Sequence, residues 1–167
     1  MITLIGSSIF EQWKPTPKLE LKFINLAVGG STTSFWLKNL NMILPSSSSH
    51  IAFYCGSNDI NENINKDKII SQTIQCFRLI KEININSEIA LFSIMKAPQK
   101  KNSFKLIDHI NQTIHKELKT NLYIDLNSII NSEHHWYQED LLHLKEKTYQ
   151  EIEKNVYPIL QNWQQKT

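Results

Sequence analysis

The chain contains 167 residues, of which 41% are hydrophobic, and this is enough apolar material to bury the core of one domain spanning residues 1–167. Its 18 Lys and Arg residues are nearly balanced by 16 Asp and Glu residues, so the formal net charge is only +2. That balance excludes the strongly basic surface by which proteins bind nucleic acid, and no segment approaches the roughly 18 consecutive apolar residues of a membrane span.

The first half of the chain alternates apolar runs with polar turns. The segments Ile2–Ile5, Leu21–Val28 and His50–Cys55 are short and rich in Ile, Leu, Phe or Val, and polar or turn-forming residues border them. These features predict three β-strands. The serine-rich run Pro45–Ser49 is too short to divide domains, and we expect it to connect a helix to the third strand.

The second half alternates helical patterns with two further strands. Apolar residues recur at helical spacing over Lys66–Ile83, Phe104–Leu118 and Lys145–Leu160. The apolar runs Glu88–Ile94 and Asn121–Leu126 predict the fourth and fifth strands. Strands that alternate with helices favour a parallel sheet covered on both faces, and right-handed crossovers make this α/β fold a three-layer, doubly wound α/β/α sandwich.

A polar turn follows each of the first three predicted strands, where a doubly wound fold binds its ligands. Gly6–Ile9 follows the first strand, Gly29–Thr32 the second and Gly56–Asp59 the third. Asp140 and His143 lie in the loop before the last predicted helix. Because the carboxyl ends of parallel strands meet at one edge of the sheet, we expect these four segments to form one site.

Ser8, Asp140 and His143 have the side chains of a catalytic triad. A serine hydroxyl is a poor nucleophile until a base takes its proton, and an imidazole does this near neutral pH. Asp140 would hold the His143 imidazole in one tautomer. Taken alone, each segment has a simpler interpretation, because Gly6–Ser8 could be a turn with a helix cap and His143 is one of six histidines.

Three groups are candidates for an oxyanion hole, the set of donors that stabilises negative charge developing on a carbonyl oxygen. They are the Ser8 N–H at a helix N-terminus, the Gly30 N–H, which no side chain shields, and the Asn58 amide. Such residues also occur in ordinary turns after a strand, so the assignment depends on the four segments coming together.

Together the four segments resemble the sequence blocks of the SGNH hydrolases, also called GDSL-like lipases and acylhydrolases. The matching segments are Gly6–Ile9, Asn25–Thr32, Gly56–Asp59 and an Asp-x-x-His block that begins at Asp140. They extend over nearly the whole chain. The resemblance implies a flavodoxin-like fold with five parallel strands in the order 2-1-3-4-5, and an activity that needs no metal or organic cofactor.

The resemblance also implies the roles of individual residues. It gives Ser8 as the nucleophile, with Asp140 and His143 as its acid–base partners. Gly30 and Asn58 carry over as oxyanion donors, through a backbone N–H and a side-chain amide respectively, and the Ser8 N–H is the third donor.

The sequence around these residues departs from the family pattern in two blocks. The first block reads Gly-Ser-Ser and is followed by Trp13, as in one branch of the family. Ser7 stands where many members have an Asp that is not part of the triad. Leu141 and Leu142 stand where a glycine is common between the Asp and the His, so we expect the shape of that loop to differ.

Residues near the four segments are candidates for substrate contact. Trp36 follows the glycine turn, Met95 follows the fourth predicted strand and Trp136 precedes Asp140, so each could line the mouth of the site. Core packing is the alternative for all three, since large apolar side chains are more often buried than exposed to ligands.

A metal site and a disulfide framework are both unsupported by the sequence. His134 and His135 precede the Asp-x-x-His block, but their spacing matches no common zinc pattern, and we expect no metal. Two cysteines, Cys55 and Cys76, favour a reducing compartment. The first residues lack a signal-peptide pattern, so a cytoplasmic protein is expected if residue 1 is the natural start.

The sequence therefore predicts a serine esterase or acylhydrolase that cleaves short-chain acyl esters, with acetyl esters as the expected class, through an acyl-enzyme. Its partner would be a small-molecule ester. The alternative is a non-catalytic module that binds acylated glycans or lipids on the same fold. Thioester hydrolysis and acyl transfer would use the same residues, and nothing in the sequence indicates an oligomeric state.

Overall fold

Five parallel strands form the sheet of the computed structural model, which describes residues 1–16, 21–118 and 122–166. The strands are β1 (Ile2–Gly6), β2 (Phe23–Asn25), β3 (His50–Tyr54), β4 (Glu88–Phe92) and β5 (Leu122–Ile124). They pair in the order β2-β1-β3-β4-β5, and every neighbouring pair is parallel. This arrangement confirms the predicted α/β fold and the strand order that the family resemblance implied.

Alternate side chains of the central strands are buried on opposite faces of the sheet. Ala52 and Tyr54 of β3 belong to the apolar cluster on one face, whereas Ile51 and Phe53 belong to the cluster on the other. Because helices cover both faces, the strand is almost continuously apolar, as expected for a parallel sheet with no solvent-facing side.

Helices pack on both faces of the sheet. One face is covered by α1 (Ser8–Glu11), α6 (Leu126–Ile129) and α7 (Glu146–Gln165). The other is covered by α2 (Thr33–Ile43), α3 (Ser57–Asn61), α4 (Lys66–Ile83) and α5 (Phe104–Leu118). Two short 3₁₀ segments lie in connections, at Pro98–Ser103 and His134–Trp136. No helix in the described ranges is both long and apolar enough to cross a bilayer.

The two middle helices, α4 and α5, have the bounds that the apolar periodicity predicted. Helix α7 begins at Glu146 and continues past Leu160, the predicted end. The reason is that Trp163 extends the apolar stripe that packs on the sheet. Asn121, predicted to begin the fifth strand, lies outside the described residues, and β5 is described from Leu122.

Strand β2 is shorter than the predicted strand Leu21–Val28. Asn25 ends it, and the Asn25 Oδ1 accepts a hydrogen bond of 3.1 Å from the Ala27 N–H. The following backbone nevertheless stays beside β1, because the Val28 N–H donates to the Gly6 carbonyl at 2.9 Å. The chain therefore turns into the glycine segment while still attached to the end of β1.

The direction of the chain reverses at β1. It leaves β1 toward β2 on one side and later enters β3 on the other, which creates the topological switch point where open α/β sheets bind ligands. Ser8 directly follows β1, and Asn58 follows β3. The fold alone thus places these two predicted residues on neighbouring strand ends.

Gly6 is the point of closest approach between β1 and β3. Its φ of +146° is a conformation that side chains rarely adopt, and a Cβ at this position would overlap the Tyr54 carbonyl group. One residue later, the Ser7 N–H donates to the same carbonyl at 3.0 Å. Only glycine therefore allows the chain to leave β1 in the direction that α1 requires.

Replacing Gly6 with Ala is expected to lower the free energy of unfolding by about 2–4 kcal/mol, because the new methyl group meets backbone atoms and the φ is strained. Gly29→Ala is the matched control. The added Cβ of that variant meets the carboxylate of the Glu11 side chain, which can move, so we expect a loss below about 1 kcal/mol. Urea denaturation measures both. Equal losses in the two variants would contradict the steric argument.

Candidate active site

Ser8 occupies the first turn of a helix that begins directly after β1. Ser7 is the N-cap of α1 in an extended conformation, and Ser8 is half-buried while Ile9 and Phe10 pack in the core. The buried side chains anchor the short helix. The Ser8 hydroxyl is therefore held at the carboxyl edge of the sheet by packing of its two neighbours.

A continuous hydrogen-bonded series joins Ser8, His143 and Asp140. The distance from Ser8 Oγ to His143 Nε2 is 3.0 Å, and the distance from His143 Nδ1 to Asp140 Oδ2 is 2.5 Å. Because the Asp140 carboxylate only accepts hydrogen bonds, the Nδ1 carries a proton and Nε2 is left to accept the Ser8 hydroxyl proton. The arrangement is that of a nucleophile, a general base and a carboxylate that orients the base.

The loop that carries Asp140 and His143 is closed by its own hydrogen bonds. Asp140 Oδ1 accepts from the N–H groups of Leu142 at 3.0 Å and His143 at 2.9 Å. The Gln138 N–H donates to the His143 carbonyl at 2.7 Å, which ties the two ends of the loop together. Asp140 thus shapes the loop with one oxygen and orients the imidazole with the other.

The loop of Asp140 and His143 forms without the glycine that is common in SGNH hydrolases, because Leu141 adopts the backbone conformation that glycine favours. Its φ is +59°, in the left-handed region that glycine adopts easily and that strains a leucine. The Leu141 N–H donates to the Gln138 carbonyl at 3.0 Å, and the Leu141 carbonyl accepts from the Gln99 N–H at 3.1 Å. The N–H and the carbonyl of Leu141 are therefore both hydrogen-bonded, and these contacts hold the residue in its strained conformation.

The Asp140 carboxyl is strongly acidic in the folded protein. Loss of solvent by itself would raise its pKa, but hydrogen bonds from the His143 ring and from the Leu142 and His143 N–H groups outweigh that effect and lower the pKa to about 2. Asp140 is therefore ionised at neutral pH. A negative charge at this position stabilises the imidazolium that forms when His143 takes a proton.

The three predicted oxyanion donors lie on adjoining turns. Gly30 has a φ of +73° and open space where a side chain would stand. Across the described ranges, the N–H groups of Ser8 and Gly30 donate to no acceptor. The Asn58 side-chain nitrogen donates to the Ser31 carbonyl at 2.9 Å and retains a second hydrogen. Each of the three groups therefore keeps a hydrogen that it can donate to a ligand.

Asp59 links the segment that contains Gly30 to the segment that contains Asn58, a role that was not predicted from the sequence. It is 1% exposed, and its carboxylate accepts from the Thr33 N–H at 3.1 Å and from the Thr33 hydroxyl at 2.5 Å. Thr33 begins α2, directly after the glycine turn, and Asp59 follows Asn58 in α3. The buried acid thereby fixes the Gly30 and Asn58 segments relative to one another.

The turn that contains Gly29 and Gly30 is also attached to the segment that contains Gly6 and Ser8. The Ser31 hydroxyl donates to the Gly6 carbonyl at 3.0 Å, and the Gly29 N–H donates to the exposed Glu11 carboxylate at 2.8 Å. Glu11 is in α1, the helix that begins with Ser8. Sequence signals for these contacts are weak, because a serine and a glutamate at such positions are compatible with any polar turn.

Two of the three predicted substrate-contact residues are buried instead, so the structure corrects those predictions. Trp36 is 0% exposed, and its indole N–H donates to the Ser31 hydroxyl at 2.9 Å beneath the glycine turn. Met95 is 2% exposed and belongs to the core on the α7 side of the sheet. Trp136 is partly exposed, with its ring 4.3 Å from that of His135, and its contact with substrate stays a prediction.

No group of three or more His, Cys, Asp or Glu residues is arranged to hold a metal ion in the described part of the chain. His135 pairs with the exposed Glu133 at 3.1 Å, and His134 is exposed. Cys55 and Cys76 are buried free thiols.

A groove of about 430 Å³ has both apolar and polar residues in its lining, and Leu144 and Tyr149 are among them. Gln12 and Gln138 form part of its lining, together with the charged Lys14 and Glu146. Gln12 lies one helical turn after Ser8, because its N–H donates to the Ser8 carbonyl at 3.0 Å. The groove therefore shares Gln12 with the helical turn that begins at Ser8, and its polar side chains can hydrogen-bond to a polar ligand.

Comparison with known proteins shows a shared fold. The chain superposes on a GDSL-like lipase from Bacteroides thetaiotaomicron with a TM-score of 0.81 and 19% identity, over 96% of this chain and 87% of that one. For the psychrotrophic esterase EstA from Pseudoalteromonas sp. the TM-score is 0.77 at 16% identity, over 98% of each chain. For the acetyl xylan esterase Axe2 from Geobacillus stearothermophilus it is 0.74 at 12% identity, over 90% and 89%. No protein-family model and no curated protein sequence matches the chain.

Asp140 is expected to stabilise the fold in a pH-dependent way. Its folded pKa of about 2 lies below its ordinary value of 3.8, so its contribution is fully present above about pH 4 and disappears as the pH falls toward 2. Because the side chain is 44% exposed, solvent screening keeps that contribution to at most about 1 kcal/mol. Urea denaturation of the wild type and Asp140→Asn between pH 3 and 7 measures it.

The difference in free energy of unfolding between the wild type and Asp140→Asn should be constant from pH 5 to 7 and should become smaller below pH 4. Glu139→Gln, which removes a neighbouring surface carboxylate, is the control for the loss of one negative charge. A difference for Asp140→Asn that widens toward low pH would contradict the assignment of the hydrogen bonds.

Proposed function

We propose that the protein is a serine ester hydrolase of the SGNH, or GDSL-like, type. The observation that carries the proposal is the hydrogen-bonded series from Asp140 through His143 to Ser8, at the switch point of the sheet. The shared fold of lipases and esterases supports it. Three candidate oxyanion donors also support it: the N–H of Ser8 itself, the N–H of Gly30 and the side-chain amide of Asn58, which lie on turns joined by hydrogen bonds.

Catalysis would proceed through an acyl-enzyme. Ser8 Oγ attacks the ester carbonyl while His143 Nε2 takes the hydroxyl proton, and the carbonyl oxygen becomes an oxyanion. The tetrahedral intermediate collapses with cleavage of the bond to the alcohol oxygen, which leaves with the proton from His143. Water then attacks the acyl-Ser8 carbonyl as His143 takes its proton. Release of the acid returns that proton to Ser8.

Negative charge on the carbonyl oxygen is greatest in the two tetrahedral intermediates. The N–H groups of Ser8 and Gly30 and the free hydrogen of the Asn58 amide would donate to it. One such donor contributes roughly 3 kcal/mol to transition-state stabilisation, and general-base catalysis contributes about 10²- to 10⁴-fold.

The groove favours a substrate with a polar alcohol part and a short acyl group. Its amide and charged side chains, such as those of Gln12 and Lys14, can hydrogen-bond to hydroxyl groups of a substrate. Leu144 and Tyr149 also line it, but they are only 1% and 8% exposed. A solved structure of the same fold is an acetyl xylan esterase, which supports testing acetylated sugars first. We infer that the substrates are acetyl or similarly short esters of sugars or small polar alcohols.

Ser8→Ala should lower the turnover of p-nitrophenyl acetate by at least about 10³-fold, because the triad acts as a unit. Ser7→Ala is the matched control, since the Ser7 hydroxyl is buried and has no hydrogen-bond partner. We expect that variant to keep activity close to that of the wild type. A fluorophosphonate probe should label the wild type and Ser7→Ala on Ser8, and leave Ser8→Ala unlabelled.

Turnover or labelling that survives Ser8→Ala would contradict Ser8 as nucleophile. A wild type that neither turns over esters nor reacts with the probe, yet binds acetylated glycans, would instead indicate the non-catalytic binding module. The probe separates these cases without knowledge of the natural substrate.

Acyl-chain length and the alcohol part can be tested separately. The kcat/KM for p-nitrophenyl acetate should exceed that for the decanoate by about tenfold or more, because Leu144 and Tyr149 in the groove are almost fully buried and leave a long alkyl chain few apolar side chains to contact. Lys14→Ala should raise the KM for an acetylated oligosaccharide and leave the KM for p-nitrophenyl acetate unchanged. Preference for the decanoate, or equal effects of Lys14→Ala on both acetyl esters, would contradict the substrate assignment.

A further inference from the structure

Lys100 is a buried cation with neutral partners. It lies in the 3₁₀ segment Pro98–Ser103 and is 4% exposed. Its Nζ donates to the Ser57 carbonyl at 2.9 Å and to the side-chain oxygen of Asn61. Lysines are almost never fully buried unless they are paired with a carboxylate, so this arrangement calls for a functional explanation.

Three acidic groups on the elements around Lys100 are engaged by other residues. Asp59 on α3 is bound by Thr33, and Asp108 on α5 pairs with Lys96 at 2.9 Å. Asp140 is bound by His143 in the loop that the Pro98–Ser103 segment contacts. In the described part of the chain, Lys100 makes no ion pair, and its charge faces the carbonyl dipole of Ser57 and the amide of Asn61.

Both partners of Lys100 belong to the helix that carries Asn58. The Ser57 carbonyl is part of the peptide group whose nitrogen belongs to Asn58, so the ammonium group contacts the backbone directly before the oxyanion donor. The neighbouring residue, Gln99, donates its N–H to the Leu141 carbonyl at 3.1 Å. One short segment is therefore attached both to the Asn58 helix and to the loop of the acid–base pair.

We propose that Lys100 is a positioning residue for the reaction, whose protonated ammonium group fixes the Asn58 helix and places a positive charge behind the oxyanion site. The proposal rests on the esterase function proposed above. Lys100 touches no substrate, and it acts through the Ser57–Asn58 peptide group. A fixed positive charge in a site of low dielectric stabilises negative charge that develops nearby.

If Lys100 acts in this way, its loss of a proton at alkaline pH should lower activity and raise stability. Burial lowers the pKa of Lys100 to about 8, so the ammonium loses its proton above that pH and activity should fall. Because the folded pKa lies below the ordinary 10.5, the buried charge lowers stability below pH 8, and stability rises as the pH increases from about 8 to 10.5. A lysine with a purely structural role would not separate the two properties in this way.

Two variants test the proposal against the wild type. Lys100→Met keeps much of the side-chain length and removes the charge. Its kcat at pH 7 should fall by about tenfold or more with KM within about twofold, while the free energy of unfolding at pH 7 should be no lower. Asn61→Asp places a carboxylate beside Lys100, so it should raise the Lys100 pKa and move the alkaline fall in kcat to higher pH.

The measurements are kcat and KM for p-nitrophenyl acetate from pH 6 to 10, corrected for spontaneous hydrolysis, together with urea denaturation at each pH. In Lys100→Met the alkaline fall in kcat should be absent. A wild-type kcat in that variant overturns the proposal, and so does a lowered kcat with an unchanged alkaline fall. If Lys100→Met does not fold, an unshifted alkaline fall in Asn61→Asp overturns it.

A readout that does not require turnover separates this proposal from the proposed esterase function. The NMR signals of the Asn58 side-chain amide should shift with pH around 8 in the wild type and not in Lys100→Met. Absence of Ser8-dependent turnover would contradict the esterase function alone. Asn58 signals that are insensitive to pH, or that respond equally in both proteins, would overturn the role of Lys100.

Discussion

The close contact between β1 and β3 at Gly6 controls the position of the Ser8 hydroxyl. The backbone of Gly6 lies against the Tyr54 carbonyl, where a Cβ would not fit, and the Ser7 N–H donates to the same carbonyl. This contact sets the direction in which the chain leaves the sheet, and packing of Phe10 in the core fixes α1 behind it. Ser8 then faces the loop that carries His143, and the rest of the site is arranged around that hydroxyl.

The remaining loops are attached to this turn by buried polar groups. The Ser31 hydroxyl reaches the Gly6 carbonyl, and Asp59 holds the start of α2 against α3. Buried polar groups of this kind are costly unless they are satisfied, and each of these has a defined partner. Because every such partner comes from a different loop, the interactions that offset burial also determine the relative positions of Gly30 and Asn58.

At two positions the chain departs from the sequence pattern of the SGNH hydrolases that it resembles, and the physical outcomes differ. Leu141 adopts a left-handed conformation that strains its backbone, but both of its peptide groups are hydrogen-bonded, in part by Gln99. Ser7 stands where many SGNH hydrolases have an acid, and its buried hydroxyl has no hydrogen-bond partner, which costs some stability. Strain and unsatisfied groups persist at functional sites where the surrounding structure imposes the geometry, and these two residues adjoin Ser8 and the loop of His143.

The sequence by itself determined the fold class, the bounds of α4 and α5, the strand-end residues Ser8 and Asn58, and the loop that carries His143. These follow from short-range patterns, because apolar periodicity and turn residues act within a few positions of the chain. Only the tertiary structure decided that Trp36 and Met95 are core residues, that Asp59 joins two loops and that Lys100 binds the Ser57 carbonyl. Burial and long-range hydrogen bonds depend on which elements the sheet brings together, and no local pattern encodes that choice.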